Sequence, residues 1–264
     1  MRYLVPKALG DIALHESDCD QARYLVEQAL ELFKQTGALL GQASSWDTLG
    51  DIAFCQSDYE QAKSFFEQAH KLYKQTGSLL GEANYLNQLG NIALNQSDYA
   101  QAFSFVKQAM ELYEKIGDQQ GKANSFSYLG DIAFRKSDYT EARSRFDQAL
   151  GLYEKTGYQK GKANCLRRLG DICLAEGKRS QAKEKWEAAL KLYRNLNALN
   201  PLGYTYKRLA GVGSLGHRVK SIIAAIQVWE EIGRQDLVQE ILPKGRLSRW
   251  AYQFLKKASQ SGHF

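Results

Sequence analysis

The sequence predicts an all-α protein, built as a solenoid of antiparallel helix pairs. Two observations support this prediction. A glycine recurs every 40 residues, at Gly10, Gly50, Gly90, Gly130 and Gly170, and Ala210 stands where the next one would fall. Within each interval, apolar residues fall at helical spacing along two separate stretches. A fixed period of about 20 to 50 residues is typical of solenoids, in which each repeat buries its apolar face only against its neighbours.

Each repeat reads as two helices joined by a polar turn. In the third repeat the apolar positions are Leu86, Leu89, Ile92 and Ala93 on the first helix, and Ala102, Phe105, Val106, Ala109 and Leu112 on the second. Asp98 is placed to cap the second helix, with Gln101 three residues later completing a capping box. Gly117 is placed to end that helix, because it tolerates a left-handed backbone. Equivalent residues recur 40 positions away in the other repeats.

The small and large positions of these helices resemble a known family. Counted from the glycine of each Leu-Gly pair, a large residue lies four positions before, Ala lies three, twelve and nineteen after, and another large residue lies sixteen after. This pattern resembles the tetratricopeptide repeat (TPR), closely over about residues 1–200 and loosely beyond. Two departures are a missing Pro at the end of the second helix and a period of 40 rather than about 34 residues. The resemblance implies a right-handed superhelical solenoid.

Two finer resemblances concern the junctions between repeats. The junction Ile116 to Ala123 is similar to those of Pins-type cell-polarity adaptors. The segment "GKANCLRRLGDI", Gly161 to Ile172, and the tail Val228 to Leu242 resemble the TPR arrays that close fungal NACHT-type NOD-like receptors. The second resemblance implies the ligand-sensing part of a receptor whose switch would lie elsewhere, because this sequence has no P-loop of the form GxxxxGK[ST].

The two ends of the array are predicted to differ from its centre. Residues 1–200 form five repeats of 40 residues, of which the first is truncated at its start, since Met1 lies only nine residues before Gly10. Such an uncapped first repeat invites self-association. Residues 201–264 form a degenerate sixth repeat and an amphipathic capping helix within the same solenoid, with an apolar stripe that runs from Leu247 to Ala258. An alternative function of that helix is contact with anionic membrane through Arg246, Arg249, Lys256 and Lys257.

Nothing in the sequence predicts an enzyme, a metal site or a cofactor. The four cysteines, Cys19, Cys55, Cys165 and Cys173, form no CxxC pair, and the four histidines are scattered. The run "GVGSLG" from Gly211 has the spacing of a dinucleotide fingerprint, but no strand is predicted before it, so we interpret it as a turn between helices. No long apolar run or signal peptide is evident, and we expect a cytoplasmic protein.

Charge is distributed unevenly along the chain. Residues 1–80 hold 7 Lys and Arg against 11 Asp and Glu, whereas residues 161–200 hold 9 against 4. Such a gradient can steer a charged partner, but it is too dilute to predict nucleic-acid binding.

The TPR resemblance places ligand contacts on the first helix of each repeat, at positions −6, −3, +1, +4 and +5 from the glycine. The residues that we predict to line this peptide-binding groove are Asn84, Asn87, Asn91, Asn95, Asn124, Asp131, Arg135, Asn164, Arg167 and Asp171. Asparagine can both donate to and accept from a peptide backbone, arginine can select a carboxylate, and aspartate can select a basic side chain. The alternative is that these residues are partly ordinary solvated helix surface.

The sequence therefore predicts a non-enzymatic scaffold that binds a peptide or protein partner in the concave groove. The alternative is a structural or self-assembling repeat, or a membrane-surface element that uses the basic C-terminal helix.

Overall fold

The computed structural model describes residues 19–241, which form twelve α helices. They are α1 (Cys19–Gln35), α2 (Leu39–Cys55), α3 (Tyr59–Thr76), α4 (Leu79–Asn95), α5 (Tyr99–Ile116), α6 (Gln119–Arg135), α7 (Tyr139–Thr156), α8 (Gln159–Ala175), α9 (Arg179–Asn195), α10 (Leu199–Leu209), α11 (Leu215–Glu231) and α12 (Gln235–Ile241). We call α2, α4, α6, α8 and α10 the A helices, since each is the first of its repeat. The B helices are α1, α3, α5, α7, α9 and α11.

Consecutive helices form antiparallel pairs, so the predicted all-α fold class is confirmed. Each A helix packs most extensively on the B helix that follows it, as α2 does on α3 and α4 does on α5. The chain divides into two compact units, with the border between Tyr158 and Gln159. We refer to residues 19–158 as the first unit and to residues 159–241 as the second unit. The proposed division into residues 1–200 and 201–264 stays a prediction.

Glycines on the A helices allow close approach to large side chains of the B helices. A Cβ atom built on Gly130 would lie 2.9 Å from the ring of Phe146, and one on Gly170 would lie 2.5 Å from the ring of Trp186. Phe146 and Trp186 are fully buried. A larger residue in place of either glycine would separate the two helices of its pair, so the recurring glycine is a packing requirement.

A second glycine near the start of an A helix faces the B helix that precedes it. Gly81 packs on the ring of Tyr73, and Gly121 packs on the ring of Tyr113. Alanines fill the remaining small positions, and Ala62, Ala102 and Ala142 are wholly buried. Small and large side chains therefore interlock both within each pair and between successive pairs, as the periodicity predicts.

The turns between helices follow the predicted capping pattern. The side chains of Asp58, Asp98 and Asp138 each accept a hydrogen bond of 3.0 Å from the backbone N–H three residues later. At the other end of the B helices, Gly77, Gly117 and Gly157 have left-handed backbones, with φ of 67°, 76° and 73°. The serine before each capping aspartate also has a positive φ, for example 64° at Ser97, which the sequence pattern did not predict.

The sixth repeat is shorter than the others. Helix α10 has 11 residues, whereas α4, α6 and α8 each have 17. The glycine-rich run from Gly211 forms a turn between α10 and α11, where Ser214 caps α11 by accepting a hydrogen bond from the N–H of His217 at 3.4 Å. Helix α10 precedes this turn, so the interpretation as an inter-helix turn is confirmed.

Several predicted features lie outside the described residues. They are the truncated first helix before Gly10, the capping helix with its stripe from Leu247 to Ala258, and the basic residues Arg246, Arg249, Lys256 and Lys257. Within residues 19–241, no helix has both the length and the apolar character that crossing a bilayer requires.

The glycine contacts predict opposite effects for the same substitution at two helix positions. Gly50 packs on the buried ring of Phe66, whereas nothing lies within 4 Å of a Cβ atom built on Gly151. We expect Gly50→Ala to lower the free energy of unfolding by about 1 to 3 kcal/mol, because the added methyl group displaces the ring. We expect Gly151→Ala to raise it by up to about 1 kcal/mol through helix propensity. Chemical denaturation followed by circular dichroism measures both, and an equal gain in both variants would contradict the packing model.

Candidate peptide-binding face

In the first unit, hydrogen bonds join the polar side chains of successive A helices. The Gln88 amide on α4 donates to Asp51 on α2 at 2.9 Å, and the Ser125 hydroxyl on α6 donates to Asn87 on α4 at 3.4 Å. These bonds link residues 37 and 38 positions apart. The polar positions of α2, α4 and α6 therefore form one continuous surface, which we call the A face.

Tyrosines of the B helices hold the predicted asparagines in place. The hydroxyl of Tyr113 on α5 donates to Asn84 Oδ1 at 2.6 Å, and the hydroxyl of Tyr153 on α7 donates to Asn124 Oδ1 at 2.6 Å. Asn87 Nδ2 donates to the Tyr113 oxygen at 3.3 Å, which fixes the direction of this short chain of hydrogen bonds. Asn84 and Asn124 thus use their side-chain carbonyls internally and direct their amide N–H groups elsewhere.

In the second repeat an aspartate replaces the asparagine. The Tyr73 hydroxyl donates to Asp47 Oδ2 at 2.5 Å. Burial raises the pKa of Tyr73 well above its ordinary value, and the adjacent carboxylate of Asp47 raises it further. Burial likewise raises the pKa of Tyr113. Both phenols therefore remain protonated hydrogen-bond donors at neutral pH.

The predicted residues of α4 differ in how far they reach solvent. Asn84 and Asn95 are exposed and Asn91 is half-buried, whereas Asn87 is only 5% exposed. Asn87 supports Tyr113 from within the helix layer. Asn95 folds back on its own helix, where its amide donates to the Asn91 carbonyl oxygen at 2.8 Å. The side chains of α4 that a partner could reach most directly are therefore Asn84 and Asn91.

Helix α6 contributes both acidic and basic predicted residues. Asp131 is half-buried and Arg135 is exposed at the end of the helix. Burial raises the pKa of Tyr128, and the nearby carboxylates of Asp51 and Asp131 raise it further. The field of two aspartates at one phenol indicates that the A face of the first unit is negative around Tyr128.

In the second unit, Asn164, Arg167 and Asp171 all lie on α8 and are half-buried. The Tyr193 hydroxyl donates to Asn164 Oδ1 at 2.6 Å, which repeats the pairing seen in the first unit. Asp171 accepts a hydrogen bond of 3.0 Å from the indole N–H of Trp186 and a close contact of 2.6 Å from Nε of Arg208. The predicted residues of this unit are therefore brought together.

The sequence prediction missed the tyrosines and Arg208. Tyr73, Tyr113, Tyr153 and Tyr193 recur every 40 residues, but they lie on B helices, and we considered only A helices. The recurrence itself was the available signal. Among residues 19–241, no group of three or more His, Cys, Asp or Glu side chains is arranged to hold a metal ion.

The raised pKa of Tyr73 predicts a loss of stability in alkali. A phenol whose pKa is higher in the folded than in the unfolded state stabilises the fold below the unfolded pKa of about 10, and this contribution is lost as the pH rises through the folded value. We expect the free energy of unfolding of the wild type to fall above about pH 10. Tyr73→Phe should lower it at neutral pH and make its decline in alkali less steep. Urea denaturation across this range measures the slope, and an equally steep decline in the variant would contradict the assignment.

Comparison with known proteins agrees with this architecture. A family model described as "Tetratricopeptide repeat" matches residues 4–75, 81–155 and 121–195. No curated protein matches the sequence.

Several solved structures share the fold. A Rap protein complexed with Competence and Sporulation Factor has a TM-score of 0.67 at 11% identity, and the match covers 98% of this chain and 87% of that one. Aspartyl phosphate phosphatase F from Bacillus subtilis has a TM-score of 0.64 at 16% identity, over 90% of this chain and 65% of that one. The APC/C hetero-tetramer Cut9-Hcn1 has a TM-score of 0.60 at 20% identity, over 91% and 43%.

The identities to these structures are low, so they establish the fold alone. The family model, in contrast, matches well over half of the sequence, across the same repeats whose helices pair in the structure. The protein therefore belongs to the tetratricopeptide repeat family.

Proposed function

We propose that this protein is a non-enzymatic scaffold that binds a peptide or protein segment along the A face. The observation that carries this proposal is the pairing of Asn84 with Tyr113 and of Asn124 with Tyr153. Each tyrosine holds an asparagine carbonyl at 2.6 Å, so the amide N–H groups have a fixed direction. Asn84 is exposed and Asn124 is half-buried, on A helices that contact each other.

Such fixed amides suit the backbone of a bound peptide. A peptide carbonyl accepts hydrogen bonds whatever its side chain, so asparagines on adjacent A helices can hold a segment without reading its sequence. Because the tyrosines already restrict the asparagine rotamers, binding costs little side-chain entropy. Neighbouring residues such as Asn91 and Asp131 would then supply selectivity.

Proteins of the same fold support an interaction role. The Rap structure is of a complex with Competence and Sporulation Factor, and Cut9 is present with Hcn1 in a hetero-tetramer. The name of the Bacillus subtilis protein includes a phosphatase activity. At 16% identity, this likeness gives no reason to assign that activity here, and the side chains of the A face suggest binding instead.

The finer assignment to a NOD-like receptor array is part of this proposal. It rests on the segment Gly161 to Ile172 and the tail from Val228. In such a receptor the A face would bind a ligand, and a nucleotide-driven switch elsewhere would respond. The Pins-type resemblance at Ile116 to Ala123 leads to the same role in binding, as an adaptor.

A pair of isosteric substitutions tests the A face. Asn84→Asp with Asn124→Asp keeps an acceptor for each tyrosine, as Asp47 does for Tyr73, but removes the amide donors. We expect the double variant to retain partners from an extract of the source cells at least about tenfold less than the wild type does, since each lost hydrogen bond costs about 1 kcal/mol and the new charges repel carbonyls. Quantitative pull-down with mass spectrometry measures the difference.

The matched control is Asn195→Asp, at an exposed position near the end of the B helix α9. It should retain the same proteins as the wild type. Circular dichroism must show that all three proteins are folded. If the double variant and the wild type retain the same partners in equal amounts, the A face is not the binding surface.

A further inference from the structure

The A helices of the two units carry opposite charge although their packing is the same. Helices α2 and α4 contain the acidic residues Asp47, Asp51 and Glu82 and no Lys or Arg. Helices α8 and α10 contain one acidic residue, Asp171, and six basic ones: Lys160, Lys162, Arg167, Arg168, Lys207 and Arg208. This reversal is confined to positions that the glycine and alanine pattern leaves free to vary.

Three of these basic residues converge on Asp171. Arg208 on α10 binds both carboxylate oxygens, with Nε at 2.6 Å from Oδ1 and a terminal nitrogen at 3.1 Å from Oδ2. Arg167 and Arg168 on α8 place terminal nitrogens at 3.5 and 3.8 Å from Oδ2. Asp171 brings one negative charge to a group of three guanidinium charges, so the local potential is positive.

The cluster is ordered and still reaches solvent. The side chain of Asp171 is 10% exposed, whereas those of Arg168 and Arg208 are 25% and 28% exposed. The indole N–H of Trp186 fixes the carboxylate, because it donates to Asp171 Oδ1 at 3.0 Å. The two arginines therefore have a fixed inner contact and an outer edge that a ligand could reach.

Tyrosines at equivalent positions report the reversed field. At Tyr73 in the first unit, burial raises the pKa, and the carboxylates of Asp47 and Asp51 raise it further. At Tyr193 in the second unit, burial again raises the pKa, but Arg167, Arg168 and Arg208 act in the opposite direction. The same scaffold position thus lies in a negative field in one unit and in a positive field in the other.

We propose that the arginine cluster of α8 and α10, formed by Arg167, Arg168 and Arg208 around Asp171, binds a carboxylate of an acidic peptide segment. This inference rests on the proposed function, because it takes a peptide to be the ligand. A carboxylate is the favoured ligand because these guanidinium groups already hold one, and Arg208 does so through two nitrogens. The nearby Asn164 amide, oriented by Tyr193, is placed to bind the backbone of the same segment.

Asp171 has a specific part in this proposal. It orients the arginines in the empty protein and competes with the incoming carboxylate for them. Replacing it with asparagine keeps an oxygen acceptor for Trp186 while removing the competing negative charge. The variant Asp171→Asn should therefore bind an acidic peptide more tightly, which would not follow if the cluster were only a structural ion pair.

The test uses the full chain and a fluorescently labelled oligoglutamate peptide, with labelled oligoglutamine as the neutral probe. Fluorescence anisotropy should show that the wild type prefers oligoglutamate and that this preference weakens as salt is added. Arg168→Gln with Arg208→Gln should reduce oligoglutamate affinity at least about tenfold. Asp171→Asn should increase it several-fold. The matched control is Arg145→Gln with Arg179→Gln, which removes the same charge from B helices and should keep the wild-type affinity.

Several results would overturn the proposal. They are equal oligoglutamate affinity in the wild type and the Arg168/Arg208 variant, with both shown to be folded by their urea unfolding midpoints, or an equal loss in the control variant. Weaker binding by Asp171→Asn would assign the cluster a structural role. Displacement of the peptide by inorganic phosphate but not by acetate would assign the cluster to phosphate, and an arginine-dependent preference for single-stranded RNA would assign it to nucleic acid.

The readout is independent of the pull-down described for Asn84 and Asn124. Loss of the arginine effect with an intact asparagine effect rejects only the acidic ligand. The opposite outcome rejects the asparagine-based A face and keeps the anionic subsite.

Discussion

The contact between a glycine on an A helix and a large ring on a B helix is the constraint on which the rest of the structure depends. A Cβ atom at Gly170 would stand 2.5 Å from the Trp186 ring, and Gly81 and Gly121 meet Tyr73 and Tyr113 just as closely. Because no other residue fits, helix spacing is the same in each repeat. The surface positions can then vary without changing the distance between neighbouring A helices.

Burial of the tyrosine rings has a consequence for the A face. A phenol that packs against glycine must also satisfy its hydroxyl, because an unpaired buried hydroxyl costs about 1 to 3 kcal/mol. Tyr113 and Tyr153 meet this need with Asn84 and Asn124, and Tyr73 meets it with Asp47. The same asparagines are therefore structural through their carbonyls and available to a partner through their amides. Packing and binding are joined in one side chain.

Electrostatics differs between repeats because it is the least constrained property of this scaffold. A charged residue on the A face alters the field at the neighbouring tyrosine but not the glycine contacts behind it. Asp47 and Asp51 act on Tyr73, while Arg167 and Arg208 act on Tyr193 from comparable positions. A single packing scheme can thus present a negative surface in one unit and a positive one in the other, and ligands of opposite charge suit them.

The sequence by itself determined the period, the helix pairs, the aspartate caps such as Asp98 and the left-handed glycines such as Gly117, because these features depend on residues close together in the chain. It also placed Asn84, Asn124 and Asp171 on A helices. Only the tertiary structure decided that Asn87 is buried, that Tyr113 bonds Asn84 across 29 residues and that Arg208 binds Asp171 across 37. Helical periodicity assigns a residue to a face of its own helix, but its partner across the interface depends on how the helices pack.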